Sequence, residues 1–291
     1  MKKIGLAVGA EFEDVTVEDK LLADCLRTLG LGAQRFVWDE PRQTSGDFEA
    51  VVIHSCWGYH KKPQAFLGWI DGLETKGVQV FNSPQILHWN HDKIYLRELA
   101  RRGVKIPPTV WIARGETGNL TKILAENNWQ KAVLKPTVSA TAWRTFIVTP
   151  ENAKQLQPEF KKLLGTGGAM IQKFVEEIET RGEWSFVFFD KKFSHAVLKR
   201  AKTGDFRVQY NFGGTIETDI ETPLGLIEAA RKIVSGVGGD LSYARVDGVD
   251  VDGKLSLMEL ELIEPLLFLE NKPSAAEKFA AAIAGRLNYT K

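Results

Sequence analysis

Glu259 and Glu261, separated by one apolar residue in Met258-Glu259-Leu260-Glu261, close a segment that opens Tyr243-Ala-Arg245-Val-Asp247. Each half reads as a strand, and Asp252-Gly253 between them suits a primed hairpin turn. Side chains alternate along a strand, so Glu259 and Glu261 share one face and Met258 and Leu260 the other; Arg245 and Asp247 share a face by the same rule. Gathering Asp247, Glu259 and Glu261 beside an apolar face is costly unless a cation lies between them. Mg²⁺, a hard cation that prefers oxygen ligands, is the natural partner. The competing reading is a solvated polar face on an amphipathic hairpin. The continuation Leu262-Ile-Glu-Pro265 is not a typical surface turn and weighs against it.

Three other segments carry candidate chemistry. Lys135 ends the apolar run Val133-Leu134 and precedes Pro136, which aims an ammonium with a packed stem into a cleft where a phosphate could meet it; a snorkelling strand-end lysine has the same signature. Gln172-Lys173-Phe174-Val175 leaves a strand and offers backbone donors and acceptors beside an apolar wall, as a purine edge needs, although any strand end looks similar. Trp57, Tyr59 and His60 follow the end of a strand, where α/β sheets place ligands, and are read as the wall of a substrate pocket. His54, Cys56 and His60 raise the further alternative of a thiol nucleophile or metal site.

The elements that must position these residues follow from periodicity. Apolar runs at Lys3–Val8, Arg35–Trp38, Val51–Ile53 and Val78–Phe81 read as strands, and they alternate with helical patterns carrying Leu22, Cys25 and Leu26, then Phe66, Ile70 and Leu73. That order predicts an α/β domain with a parallel sheet over residues 1–88. Ser83-Pro84 starts a helix that continues or restarts near His91, Gly103 stops it, and Pro107-Pro108 enforces an extended exit. Strands at Ala132–Lys135, Thr145–Val148, Met170–Val175 and Trp184–Phe189, with hairpin turns at Asp190–Lys192 and Asp252-Gly253, predict antiparallel sheet. Helices close the chain at Pro223–Val234 and Ser274–Leu287, the second opened by Ser274 and Glu277 at capping-box spacing. Residues 89–291 thus form a second domain of α+β character, with lobes over roughly 105–180 and 181–291.

Composition excludes several classes. Over 291 residues, 38 basic side chains nearly balance 37 acidic ones, so there is no net field to hold nucleic acid or an anionic membrane. No apolar run reaches the about eighteen residues a membrane helix needs. Cys25 and Cys56 are too few for a disulfide framework, and a soluble, cytoplasmic protein is expected.

Taken in order, Lys93, Lys135, Gln172–Val175, Glu183, Arg245–Asp247 and Glu259–Glu261 resemble the ATP-grasp superfamily over roughly residues 82–265. The resemblance implies an N-terminal pre-ATP-grasp domain and a two-lobed ATP-grasp fold that binds ATP and one or two Mg²⁺, with Mn²⁺ as an alternative ion. It implies Lys93 and Lys135 on the phosphates, Gln172, Lys173, Phe174 and Val175 as the adenine hinge, Glu183 on the ribose, and Asp247, Glu259 and Glu261 as metal ligands. Arg245 and Arg207 would face the transferred phosphate.

Asn82-Ser-Pro84, Phe193-Ser-His-Ala-Val-Leu-Lys199-Arg200, Gly204-Asp-Phe-Arg207-Val-Gln209, Phe212-Gly-Gly214 and Met258–Pro265 resemble the glutathione-synthetase-like branch. Within it they are similar to cyclo-ligases of cycloserine biosynthesis and their uncharacterised relatives, which adds Lys199 and Arg200 to the expected substrate residues. The activity implied is ligation of a small-molecule carboxylate to an amine through an acyl phosphate, by a chain whose relatives are often homo-oligomers. A non-catalytic ATP-binding module and a small-molecule phosphotransferase are the alternatives. Three departures bear on this: Val138–Trp143 lacks the glycines of many phosphate loops, leaving Ser139 and Thr141 hydroxyls to compensate; Glu261 stands where many relatives have Asn; and Gly58 stands where Asp is expected.

Overall fold

Alternating apolar runs and amphipathic helices build the first sheet from β1 (Lys3–Val8), α1 (Val17–Thr28), β2 (Gly32–Val37), β3 (Ala50–Ser55), α2 (Pro63–Thr75) and β4 (Gln79–Phe81). The computed structural model describes residues 2–10, 16–40, 48–202, 207–208 and 213–288. The strands pair in parallel in the order β2-β1-β3-β4. Central β1 and β3 are buried almost throughout, as the apolar runs Ile4–Val8 and Ala50–Ile53 require, and β3 carries His54 and Ser55 into the interior with it. The strand expected at Arg35–Trp38 begins earlier, at Gly32, and lies at the sheet edge, where only Phe36 is fully buried.

Helices α3 (Pro84–Asn90) and α4 (Tyr95–Arg101) follow, and the break between them contains Lys93. The second sheet contains β5 (Thr109–Ile112), β6 (Ala132–Pro136), β7 (Phe146–Val148) and β8 (Ala169–Lys173), antiparallel in the order β5-β8-β6-β7, with α5 (Leu120–Glu126) and α6 (Ala153–Thr166) packed on it. Strand β5 was not foreseen, because its four residues carry no alternation and owe their conformation to pairing with β8. Strand β8 stops at Lys173, before the expected Val175, where the Phe174 N–H turns to donate to the Lys131 carbonyl at 3.1 Å.

The third sheet runs β11-β10-β9-β12-β13, formed by β9 (Glu183–Phe189), β10 (Lys192–Arg200), β11 (Thr215–Glu217), β12 (Tyr243–Val251) and β13 (Lys254–Glu261), again antiparallel. Its two hairpins turn at Asp190-Lys191 (φ 51° and 57°) and Asp252-Gly253 (φ 53° and 75°), both left-handed pairs as primed turns demand. The short α7 (Glu177–Thr180), α8 (Leu224–Ser235) and α9 (Pro273–Asn288) complete the chain. Because α9 already begins at Pro273, Ser274 lies inside its first turn and is not the cap expected of it. Phe279 and Ile283 of α9 pack with Leu22 and Leu26 of α1 and with Phe189, joining the third sheet to the first; each buried leucine contributes about 2 kcal/mol. The expected fold class is the one observed: a parallel α/β unit followed by antiparallel sheets with helices. Among the described residues, no helix is long and apolar enough to cross a membrane.

Candidate active site

The acidic hairpin lies at the centre of the site. Asp247 pairs across the ladder with Glu259, and Arg245 with Glu261, so these four side chains share a face. The register then shifts, because Gly248 opposes Leu257 and Met258 is left over. Such a bulge re-aims its extra residue. Met258 therefore departs from the alternation expected of it: Leu257 and Leu260 enter the core beneath the sheet, whereas Met258 joins Phe174, Val175, Val133, Ile147 and Val249 in an apolar cluster between the second and third sheets. Gly248 permits the bulge, since a Cβ there would lie 2.6 Å from Leu255 Cδ1 and 2.8 Å from the Ser256 carbonyl.

Each carboxylate of this face is held by a cation. Arg245 grips Asp247 with a fork of Nε and Nη2 (3.0 and 2.9 Å) and also pairs with Glu261. Lys199 bridges Asp247 (3.1 Å) and Glu183 (3.0 Å), and Ser185 Oγ donates to Asp247 at 2.6 Å. Lys93 Nζ lies 2.9 Å from Glu259. Burial would raise the Asp247 carboxyl, but Arg245 and Lys199 outweigh it and hold Asp247 well below the usual carboxylate range. Burial raises Glu261 to about 8, with Asp247 and Glu259 adding to the effect against the pull of Arg245. Burial also raises Glu183 and Glu264.

Among the described residues, no three Asp, Glu, His or Cys side chains converge on one point as a metal cage; the expected triad is spread over Lys93, Lys199 and Arg245. The donor set nevertheless suits a divalent ion. Its oxygens are hard, they lie on one face, and the Glu259 and Glu261 side chains are 31% and 25% exposed, so an ion can reach them.

Lys93 is fixed at both ends. Its N–H donates to the Thr137 carbonyl at 2.8 Å and its Nζ reaches the Ser139 carbonyl, tying the helix break to the loop after β6. Lys135 in β6 makes no ion pair among the described residues, and burial lowers its pKa against the opposing charge of Glu259. The loop that lacks glycine achieves its shape through strain: Thr141, Ala142 and Arg144 all have φ of 52–54°. Ser139 Oγ is turned to the Pro136 carbonyl, so its hydroxyl is engaged within the loop. At the loop tip, Trp143 packs against His60 of the first sheet's domain, with ring centroids 5.4 Å apart.

The other expected residues fall in different surroundings. Gln172 is buried and bonds Thr109, Lys173 is exposed, and the Phe174 ring has Lys131 Nζ 3.5 Å above it. Tyr59 is buried against Phe66, and Trp57 Nε1 donates to the Glu264 carbonyl at 3.0 Å. Gly58 has φ of 94°, a conformation that Asp would adopt only under strain, so the exchange at this position has a backbone cause. Cys56 is fully buried, donates to the Ala7 carbonyl, and has its pKa raised by burial, the opposite of a nucleophilic thiol. Arg200 pairs with Glu217 on β11 and stands apart from the hairpin carboxylates. Arg207 is half-buried, while Gly204, Asp205, Phe206, Gln209 and Phe212 of the associated motifs lie outside the described residues.

Sequence reasoning quoted Asn82 within a motif but did not find the part that it, Asn90 and Tyr95 play in holding the hairpin in place. Asn82 accepts from the Ser242 and Tyr243 N–H groups and donates to the Tyr243 and Leu262 carbonyls. Asn90 bonds both Leu260 and Leu262, and the Tyr95 hydroxyl accepts from the Leu260 N–H. Buried polar side chains just before and inside a helix were the available signal.

Comparison with known proteins agrees with this geometry. A family model described as the D-cycloserine synthetase DcsG N-terminal domain matches residues 4–82. The chain is 29% identical over 277 residues to the cycloserine biosynthesis protein DcsG of Streptomyces lavendulae, covering 91% of this chain and 92% of that one. The crystal structure of D-cycloserine synthetase DcsG superposes with a TM-score of 0.85 at 26% identity, over 98% of this chain and 99% of the other. The chain has the fold of the ATP-grasp ligases. Two more distant ATP-grasp neighbours share the fold: D-alanine–D-alanine ligase from Bacillus anthracis complexed with ATP (TM-score 0.67, 18% identity, 98% and 97% covered), and the ATP-grasp ligase PsnB complexed with a phosphomimetic precursor variant, Mg and ADP (TM-score 0.65, 15% identity, 99% of each chain).

Proposed function

We propose that the chain is an ATP- and Mg²⁺-dependent ligase that phosphorylates a carboxylate and lets an amine-type nitrogen displace the phosphate, forming a C–N bond within one molecule or between two. The observation that carries this reading is the gathering of Lys93, Lys199 and Arg245 around the carboxylates of one hairpin, where the loop after β6 meets the third sheet. Adenine lies against Phe174, Val175 and Met258 with the Gln172–Val175 backbone at its edge, and Glu183 takes the ribose. Lys93, Lys135 and Lys199 hold the phosphates. Residues 1–88 supply the substrate wall through Trp57 and His60, with Tyr59 packed behind them, and residues 89–291 supply the nucleotide site.

Mg²⁺, one ion or two, would be held by Asp247, Glu259 and Glu261 and would offset phosphate charge. The acid's oxygen attacks the γ-phosphorus and ADP leaves; nitrogen then attacks the acyl carbon, phosphate leaves, and the nitrogen loses its proton. Phosphoryl transfer asks little covalent work of the protein, so the contribution of Arg245 and Arg207 is charge placed where the transferred group's oxygens develop it. Trp143, closing on His60, excludes water that would hydrolyse the acyl phosphate.

The test is ADP release from Mg·ATP with pooled amino acids, small peptides and O-ureido-serine. Release that depends on the acid and falls at least about hundredfold in Glu259→Gln is expected; equal release by that variant would refute the metal-ligand role. ATP binding without turnover on any acid would favour a non-catalytic module.

A further inference from the structure

The reaction as described leaves two neighbouring buried carboxylates unused. Glu18 and Asp19 open α1, where the Thr16 cap and the helix dipole favour acidic residues, yet both are turned inward and are only 3% and 1% exposed. His54 of β3 sits between them, with Nε2 3.3 Å from Glu18 and Nδ1 3.1 Å from Asp19. A carboxylate at this depth needs donors. Glu18 takes its donors from the far end of the chain: Oε2 accepts from the Leu267 N–H and Oε1 from the Leu269 N–H, each at 3.0 Å.

Between those two amides lies Phe268 at φ 53°, a left-handed conformation that a bulky residue keeps only where its surroundings impose it. The other side of this kink faces the hairpin. Arg245 Nη1 donates to the Leu266 carbonyl at 2.8 Å, and its guanidinium stands 5.7 Å over the Phe268 ring. His195 Nε2 donates to the Leu267 carbonyl at 2.9 Å and steadies the segment from β10. The ion pairs of Arg245 with Asp247 and Glu261 pull it down onto the sheet. The strap from Leu266 to Leu269 supplies the opposing hold that sets the plane of the fork.

We propose that Glu18 is a positioning residue for the reaction: by accepting the Leu267 and Leu269 amide protons it fixes the strap that orients Arg245. This assignment rests on the ligase reading and on the place of Arg245 in it. The first domain is thereby mechanically part of the phosphate site, through a residue that has no direct contact with Arg245 in this arrangement but reaches it across the strap.

A double-mutant cycle on ADP release, using the most active acid of the panel, tests the assignment. Glu18→Gln offers one acceptor oxygen to two amides and should lower kcat by about tenfold or more, with KM for ATP within about threefold. In an Arg245→Ala background the same change should alter kcat by less than about threefold, because residues acting through one group are not additive. Equal factors in both backgrounds would show a merely structural role and overturn the assignment. Should Glu18→Gln fail to fold, Phe268→Leu, which removes the ring beneath Arg245 and keeps both amides, must show the same dependence on Arg245. An Arg245→Ala variant with undiminished turnover would refute the role of Arg245 and take the assignment with it, whereas a wild type that releases no ADP with any acid would refute the ligase reading itself.

Discussion

Lys199 shows how a single residue can tie the cleft together. Its buried ammonium joins Glu183, the expected ribose partner, to Asp247, the expected metal ligand, and both carboxylates raise its pKa against the effect of burial. Removing a cation from such a pair leaves a buried charge without its partner, which costs about 3–5 kcal/mol. Lys199→Met should therefore destabilise the protein by roughly that amount in urea unfolding, and adding Glu183→Gln should recover a substantial part of the loss. A single variant within 1 kcal/mol of wild type would contradict the pairing. The sequence placed Lys199 only near the substrate, because its partners lie on β9 and β12 and become neighbours through strand pairing alone. Glu259 and Glu261 were legible because one rule, alternation along a strand, applies to residues two apart. Met258 was misread by the same rule, since a bulge depends on the partner strand as much as on its own.

At the scale of elements, the hairpin is held by side chains from the segments that follow β4. Asn82 satisfies four backbone groups at the start of β12 and just beyond β13, all buried. Asn82→Ala would leave those groups without partners at about 1–3 kcal/mol for each one that water cannot reach, so a loss of at least roughly 3 kcal/mol is expected in chemical denaturation, together with a fall in kcat. A loss under about 1 kcal/mol would show that the backbone pairs hold β12 and β13 unaided. Helices and the parallel sheet were readable from period and order. Strand β5 was not, because its four residues owe their conformation to β8, and neither was the strained loop at Thr141–Arg144, whose left-handed residues carry side chains that disfavour that conformation.

Over the whole molecule, the first and third sheets are coupled through the segment after β13, and the buried His54 cluster is where the first domain grips it. Burial alone would lower the His54 pKa; its hydrogen bonds to Asp19 and Glu18, with their charges, outweigh burial and raise it to about 9. A histidine raised in the folded state contributes stability that is complete below its unfolded pKa near 6.5 and is lost as pH rises through the folded value. The free energy of unfolding in urea should therefore fall between about pH 6.5 and 9.5, by up to roughly 3 kcal/mol, and His54→Gln should flatten that slope; an unchanged slope would contradict the assignment of the charge. No rule of spacing reveals this cluster, because His54, Glu18 and Leu267 meet only in the folded chain. The central claim, that the hairpin directs phosphate onto a carboxylate, is tested most directly by turnover of the active acid labelled with ¹⁸O in its carboxyl group. Acyl phosphate formation predicts one ¹⁸O in the inorganic phosphate released with ADP. Unlabelled phosphate, or label appearing in AMP, would contradict it.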